Sequence, residues 1–151
     1  MSFNSGAYVL DSDILQLIKL QQSWTPFTPS WGASSAPTLG NGTIAGEFVV
    51  SGKLIISRIR LDWGSTTSGG SGSWSFGISN AGAVLSTTGQ SLGLITMRDN
   101  SAASHFLAGA VSNTTTTVEG RCHGNNVADA TKPFTWAVGD FLAYTIIGEL
   151  N

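Results

Sequence analysis

Residues 52–63 read Gly-Lys-Leu-Ile-Ile-Ser-Arg-Ile-Arg-Leu-Asp-Trp. Ile55, Ile59, Leu61 and Trp63 fall on one phase of a two-residue period, and Arg58, Arg60 and Asp62 on the other. Successive side chains of a strand point to opposite faces, so this run predicts a strand with one apolar and one wet face. Ser51-Gly52 ahead of it reads as a two-residue hairpin turn. Residues 43–50 are then the partner strand, entered through the turn signal Gly40-Asn41-Gly42.

Working outward, 64–72 (GSTTSGGSG) reads as a flexible loop, and Trp74, Phe76 and Ile78 then alternate with Ser73, Ser75 and Gly77. Further strands are expected at 83–86, 92–98, 105–111, 115–121 and 140–148. In the last, Phe141, Ala143, Thr145 and Ile147 face one way and Leu142, Tyr144 and Ile146 the other. Two apolar faces predict a central strand or one at a subunit interface. About eight strands at turn-separated spacing predict an all-β chain, an antiparallel β-sandwich of jelly-roll-like kind. No repeat of fixed period points to a propeller or β-helix.

The N-terminal part reads differently. Asp11 and Ser12 can cap a short N-terminal helix running to about Gln22, with Asp13 well placed against its dipole. Ile14, Leu17 and Ile18 lie along one stripe, which Leu15 and Leu20 widen. A helix this short must pack on something: its own domain, its copies around a symmetry axis, or a neighbouring protein. Residues 1–23 are thus expected to be an attachment or oligomerisation segment. Residues 24–37, where Pro26 and Pro29 block a helix, are a Pro/Trp linker, and 38–151 the β-domain.

Composition narrows the function. Of 151 residues, 41% are hydrophobic but only 11% charged, against roughly 25% in ordinary soluble domains. Gly, Ser, Thr and Asn fill the difference, which suits tight turns and surfaces buried against other subunits. The net charge is −2 and the basic residues are scattered, which argues against a nucleic-acid interface. The single cysteine, Cys122, allows no intrachain disulfide. The N-terminus lacks the pattern of a secretion signal, and the run from Ile14 to Leu20 is too short to span a bilayer. The expectation is a protein made in a cytoplasm, with no membrane insertion.

Catalytic chemistry finds little footing. A glycosidase needs two carboxylates across a cleft, but the nine acidic residues are thinly spread and nothing in the sequence points to a convergent pair, Asp62 with Glu119 being one example. Cys122 and His123 are adjacent, so on a strand they point apart, and His105 is the other histidine. Zinc wants three or four Cys/His ligands at motif spacing. The glycine stretches lack the strand-to-helix context of a phosphate loop. No enzyme, metal or cofactor is expected. Of five tryptophans, Trp63 and Trp74 sit on the apolar phase of their strands. Trp24, Trp31 and Trp136 flank prolines or turns and are the candidate ligand or glycan contacts.

Four pieces of sequence carry a resemblance. They are Trp24-Thr-Pro-Phe-Thr-Pro-Ser-Trp31 with Ala36-Pro37-Thr-Leu-Gly40-Asn-Gly-Thr43-Ile-Ala-Gly46, then Gly52-Lys53-Leu-Ile-Ile-Ser-Arg-Ile-Arg-Leu, then Trp63-Gly-Ser-Thr-Thr67 with Gly72-Ser-Trp-Ser-Phe76, and Lys132-Pro-Phe-Thr-Trp136-Ala-Val-Gly-Asp140. In this order they resemble a module of bacteriophage tail-fibre and minor tail proteins, over about residues 24–148. The resemblance implies a virion structural protein whose first twenty-odd residues join it to the particle. Its implied partners are copies of itself, as a homotrimer in many fibre contexts, other phage virion proteins, and a host cell-surface glycan or receptor. The alternative is a capsid decoration or head-fibre protein with a purely architectural role.

Overall fold

In a flat sheet, the strands that hold Gly77 and Tyr144 would stand four strand steps apart, about 19 Å. Instead the Tyr144 hydroxyl donates a 2.7 Å hydrogen bond to the Gly77 carbonyl across the interior. The structure, a computed structural model, describes residues 23–124 and 126–151. Its strands are β1 (Thr25–Phe27), β2 (Trp31–Gly32), β3 (Thr43–Ser51), β4 (Leu54–Asp62), β5 (Ser75–Gly77), β6 (Ser91–Asp99), β7 (Ser104–Ser112), β8 (Thr117–Arg121) and β9 (Phe141–Glu149). They form one sheet in the order β1-β3-β4-β9-β6-β7-β8-β5-β2, and every pairing is antiparallel.

The all-β, antiparallel expectation therefore holds, but hydrogen bonding does not divide into two sheets. A single nine-stranded sheet curls into a half-barrel. β1 and β2 lie at its opposite edges yet are joined by residues 28–30 alone. So short a link spans at most about 14 Å, which forces the two edges towards each other. Residues 24–37, read above as a linker, in fact supply both edge strands. Both are very short, and Pro26, which has no N–H to offer, sits on one of them, which blunts that edge against pairing with other chains. The expected strand at 83–86 is reduced to one bridge, Leu85 to Leu150. The N-terminal helix expected at 12–22, with Ile14, Leu15, Leu17, Ile18 and Leu20, lies outside the described residues.

The decisive stretch behaves as its pattern requires. Ile55, Ser57, Ile59 and Leu61 are buried, while Leu54, Arg58 and Arg60 are exposed. The turn before it is shifted by one residue. Ser51 pairs with Leu54, so Gly52-Lys53 makes the bend, with Gly52 at φ +59°, the left-handed value a glycine adopts without strain. β9 is central, between β4 and β6, with Leu142, Tyr144 and Ile146 inside. The core joins these to Phe48, Trp74, Phe76, Ile78, Ile95, Met97 and Val118. Burial pushes the ionisation of the Tyr144 hydroxyl well up, so it remains a donor.

β6 enters the sheet through a register shift between Ser91 and Gly93. Leu92 is thereby buried, and Gly93 lies against the backbone of β9. A β-carbon at Gly93 would run into the Thr145 carbonyl oxygen and come within 3.1 Å of Ile146 Cα. At Gly109, on the outer face of β7, the nearest heavy atom is 4.0 Å away. Gly93→Ala should lower unfolding free energy by about 1–3 kcal/mol, the usual cost of overpacking. Gly109→Ala should stay within about 0.5 kcal/mol of the parent. Urea titration of both variants checks the pair.

Candidate functional site

One end of the sheet carries the row Asp62, Phe141, Arg98 and His105, paired from β4 to β7. The opposite end carries the Gly52-Lys53 turn. Three loops gather at the first end: 63–74 after β4, 100–103 between β6 and β7, and the described residues of 122–140 between β8 and β9. Each is pinned from below by one buried side chain. The Trp74 indole N–H donates to the Gly69 carbonyl at 2.7 Å. The Trp136 indole N–H donates to the Asp129 carbonyl at 3.0 Å. The fully buried Asp140 carboxylate accepts the Asn100 and Ala137 amides at 2.8 and 2.7 Å.

The indoles are parts of one cluster. Trp63 stacks on Trp74 and on Trp136 at 5.8 and 5.5 Å. Trp31 meets Trp74 edge-on at 5.2 Å, and Phe134 lies 4.6 Å from Trp136. Burying one such ring removes about 150–250 Å² from water, worth roughly 4–6 kcal/mol as an upper bound. Stacking adds only about 0.5–1.5 kcal/mol per pair, so burial rather than ring geometry holds the cluster. It closes this end of the core and gives the loops a rigid floor.

The loop 64–72, expected to be flexible, is stitched to 35–41. Asn41 Oδ1 accepts the Thr66 amide at 2.9 Å, Asn41 Nδ2 donates to Ser65 Oγ at 2.9 Å, and the Thr67 hydroxyl donates to the Leu39 carbonyl at 2.6 Å. Backbone bridges join Thr38 to Ser68 and Ser35 to Ser71. The Gly-Asn-Gly turn and the Ser-Thr-Thr run, which the sequence presents separately, thus form one unit. What the three loops show to solvent is mostly hydroxyl and amide: Ser65, Thr66, Ser68, Ser101, Asn126 and Thr131 are exposed. The chain matches no family model, no curated protein and no solved structure.

The expected site residues separate. Trp136 is only 7% exposed and Trp31 is half-buried, and both rings are spent on the cluster rather than offered as sugar platforms. Tertiary packing against Trp63 and Trp74, invisible in the sequence, decides this. Trp24 lies far from them, half-buried on the outer sheet face with the Arg58 guanidinium 4.4 Å above its ring. The apolar residues Ile14 to Leu20 lie outside the described residues. Asp140 and Trp74, the loop anchors, carry no functional role in the sequence reading, where Trp74 falls on the apolar phase of its strand. The Gly139-Asp140 pair ahead of the last strand was the available signal.

Asp62 and Glu119 do not converge. Three strands stand between β4 and β8, and each carboxylate holds its own arginine, Asp62 with Arg60 and Glu119 with Arg121. Cys122 is half-buried, and that burial pushes its thiol above the ordinary range, away from nucleophilic thiolate. His123 is exposed beside it, and His105 lies against the Arg98 guanidinium on the outer face. Among the described residues no group of three or more His, Cys, Asp or Glu is placed to hold a metal ion. No helix there is long and apolar enough to cross a membrane.

Two outcomes follow from the anchors. Asp140→Ala removes the buried carboxylate that accepts the Asn100 and Ala137 amides and should cost about 1–3 kcal/mol, read by urea unfolding. The carboxyl of Asp129 is pushed up by burial. The Thr131 amide and hydroxyl and the Lys132 ammonium outweigh that and hold it below its ordinary value of 3.8. A lowered carboxyl stabilises the fold above the unfolded value and loses that support as pH falls through the folded one. The parent should therefore lose stability relative to Asp129→Asn as pH drops below about 4, seen as converging melting temperatures.

Proposed function

We propose that the chain is a bacteriophage virion structural protein, a tail-fibre, tail-tip or appendage module. It attaches through its N-terminal segment and displays the loop end towards the host surface. One observation carries the reading: the chain enters and displays at opposite ends. Thr25 pairs with Phe48, so Trp24 enters level with Val49, near the Gly52-Lys53 turn. The loop cluster begins beyond Thr43 and Asp62, six residues along β3, or about 20 Å away. A module joined to a particle at its base and exposed at its tip has this layout.

The rest of the reading fits. Exposed hydroxyls and amides on a rigid floor suit contact with a glycan or another hydroxyl-rich receptor. The curled sheet, its halves facing across the core, serves as the jelly-roll-like β-sandwich that such modules use. Copies assemble as a homotrimer, and the chain acts without catalysis or cofactor, as part of the virion.

Purified particles from the source of this sequence should contain the chain, and an antibody against it should label them at one place. Particles that lack it overturn the reading. Deleting residues 1–22 should abolish incorporation, with the β-domain still folded by circular dichroism. Replacing Ser65, Thr66 and Thr131 together by alanine should reduce binding of the particle to host cells or cell-wall polysaccharide at least about tenfold, the scale of a lost 1.4 kcal/mol, without affecting incorporation.

A further inference from the structure

The sheet has an unpaired edge inside its own strand order. β6 pairs with β7 from Ser104 to Val111, but β8 pairs with β7 only from Gly109 to Ser112. Past Arg121 the chain turns away from β7. The Cys122 amide donates to the Asn126 carbonyl at 2.8 Å, and Val127 then bridges back to Arg121 on the far side of β8. Among the described residues no strand pairs with Ser104 to Ala108 on the side that β8 has left.

Two hydrogen bonds fix which backbone groups face that side. In an antiparallel sheet alternate residues turn their N–H and C=O to opposite neighbours. The Ser112 amide donates to the Gln90 carbonyl at 2.9 Å, just ahead of β6, and the Gly120 carbonyl accepts the Ala128 amide at 2.8 Å, away from β7. Gly109 and Arg121 are therefore the last bonded pair between β7 and β8. Next in the same phase come Leu107 and His105, whose N–H and C=O groups point to the vacated side.

That side is a cleft of about 400 Å³, within the roughly 300–1,000 Å³ that ligand sites span. Half-buried Phe106 and Pro133 give it apolar walls, and exposed His123, Asn126 and Lys132 form its rim. Lys132 is tied to Asp129 at 3.1 Å, so its charge is already matched and the rim suits an uncharged occupant. The cleft has room for one chain but not for the edge of another folded sheet. His105 and Leu107 present donor and acceptor at an interval of two residues, about 6.7 Å. An extended peptide repeats its own C=O and N–H at that interval, whereas a sugar's hydroxyls have no such fixed alternation.

We propose that this cleft takes an uncharged, extended peptide segment of a partner protein, which adds to the sheet beside β7 by pairing with His105 and Leu107. The residue level with Phe106 points inward, so an apolar side chain there lies on Phe106 and Pro133. The inference goes beyond the virion reading, since it gives the loop end a peptide site in place of a purely polar surface.

The test titrates the full chain, labelled with nitrogen-15, with the capped peptide acetyl-Thr-Val-Thr-Val-Thr-amide at millimolar concentration. The His105 and Leu107 amide signals should shift and saturate. Hydrogen exchange at Leu107 should slow at least about tenfold once the peptide is at about ten times its dissociation constant. The same peptide N-methylated at every residue, which cannot donate to the strand, should do neither. Unmoved His105 and Leu107 signals, or equal shifts with the methylated peptide, overturn the proposal. So does an N-acetylglucosamine trisaccharide that moves these two amides where the peptide does not, since the cleft is then a sugar site. A chain that forms dimers which the peptide dissociates has a second copy as its occupant, and that result overturns it too. None of these readouts needs a virion, so this proposal and the virion reading can fail separately.

Discussion

The structure depends on the three-residue link between β1 and β2. A nine-stranded antiparallel sheet with one apolar face could lie open and would then need a second layer to cover that face. Here the chain crosses from one edge of the sheet to the other through residues 28–30. The sheet has to curl, and its apolar face becomes its own interior. The Tyr144 to Gly77 hydrogen bond, with no water to compete for it, fixes how far the two halves close.

Closure leaves one end of the interior to be plugged, and the tryptophans do this. Indoles suit the task because each brings a large apolar surface and one N–H that can fasten an acceptor. At Trp74 and Trp136 that acceptor is a loop carbonyl, so filling the core and fastening the loops are a single event. Asp140 does the equivalent with charge, taking two amides from two different segments. Loops rich in Gly, Ser and Thr are thus held with little apolar material of their own. That is how a chain with 11% charged residues presents a polar tip above a dry core.

The outer face follows a different rule. Arg58 and Arg60 are matched by carboxylates on the adjacent and the same strand, and Arg60 also covers the Phe141 ring at 3.9 Å. The apolar residues between them have no such cover among the described residues. The two apolar faces of β9 are therefore not equivalent: Leu142, Tyr144 and Ile146 are core, while Ile147 stands exposed on the outer face.

The sequence by itself determined the strand class, the inward phase of β4 and β5 and the polar character of the loops, while for β9 it left open a central place or a subunit interface and which face points inward. These are local matters, set by two-residue alternation and by where glycines interrupt it. It erred by one residue at the 51–54 turn, because either residue pair there can bend, and only the register of Ser51 with Leu54 selects Gly52-Lys53. It read 24–37 as a linker because strands of two and three residues carry too little periodicity to register. Tertiary structure alone decided that one sheet replaces two, that Trp31 and Trp136 are spent on packing, and that Asn41 is tied to a loop 24 residues away. Each of those outcomes depends on which distant segments meet, and alternation along a chain records which way a side chain points but not what it will face.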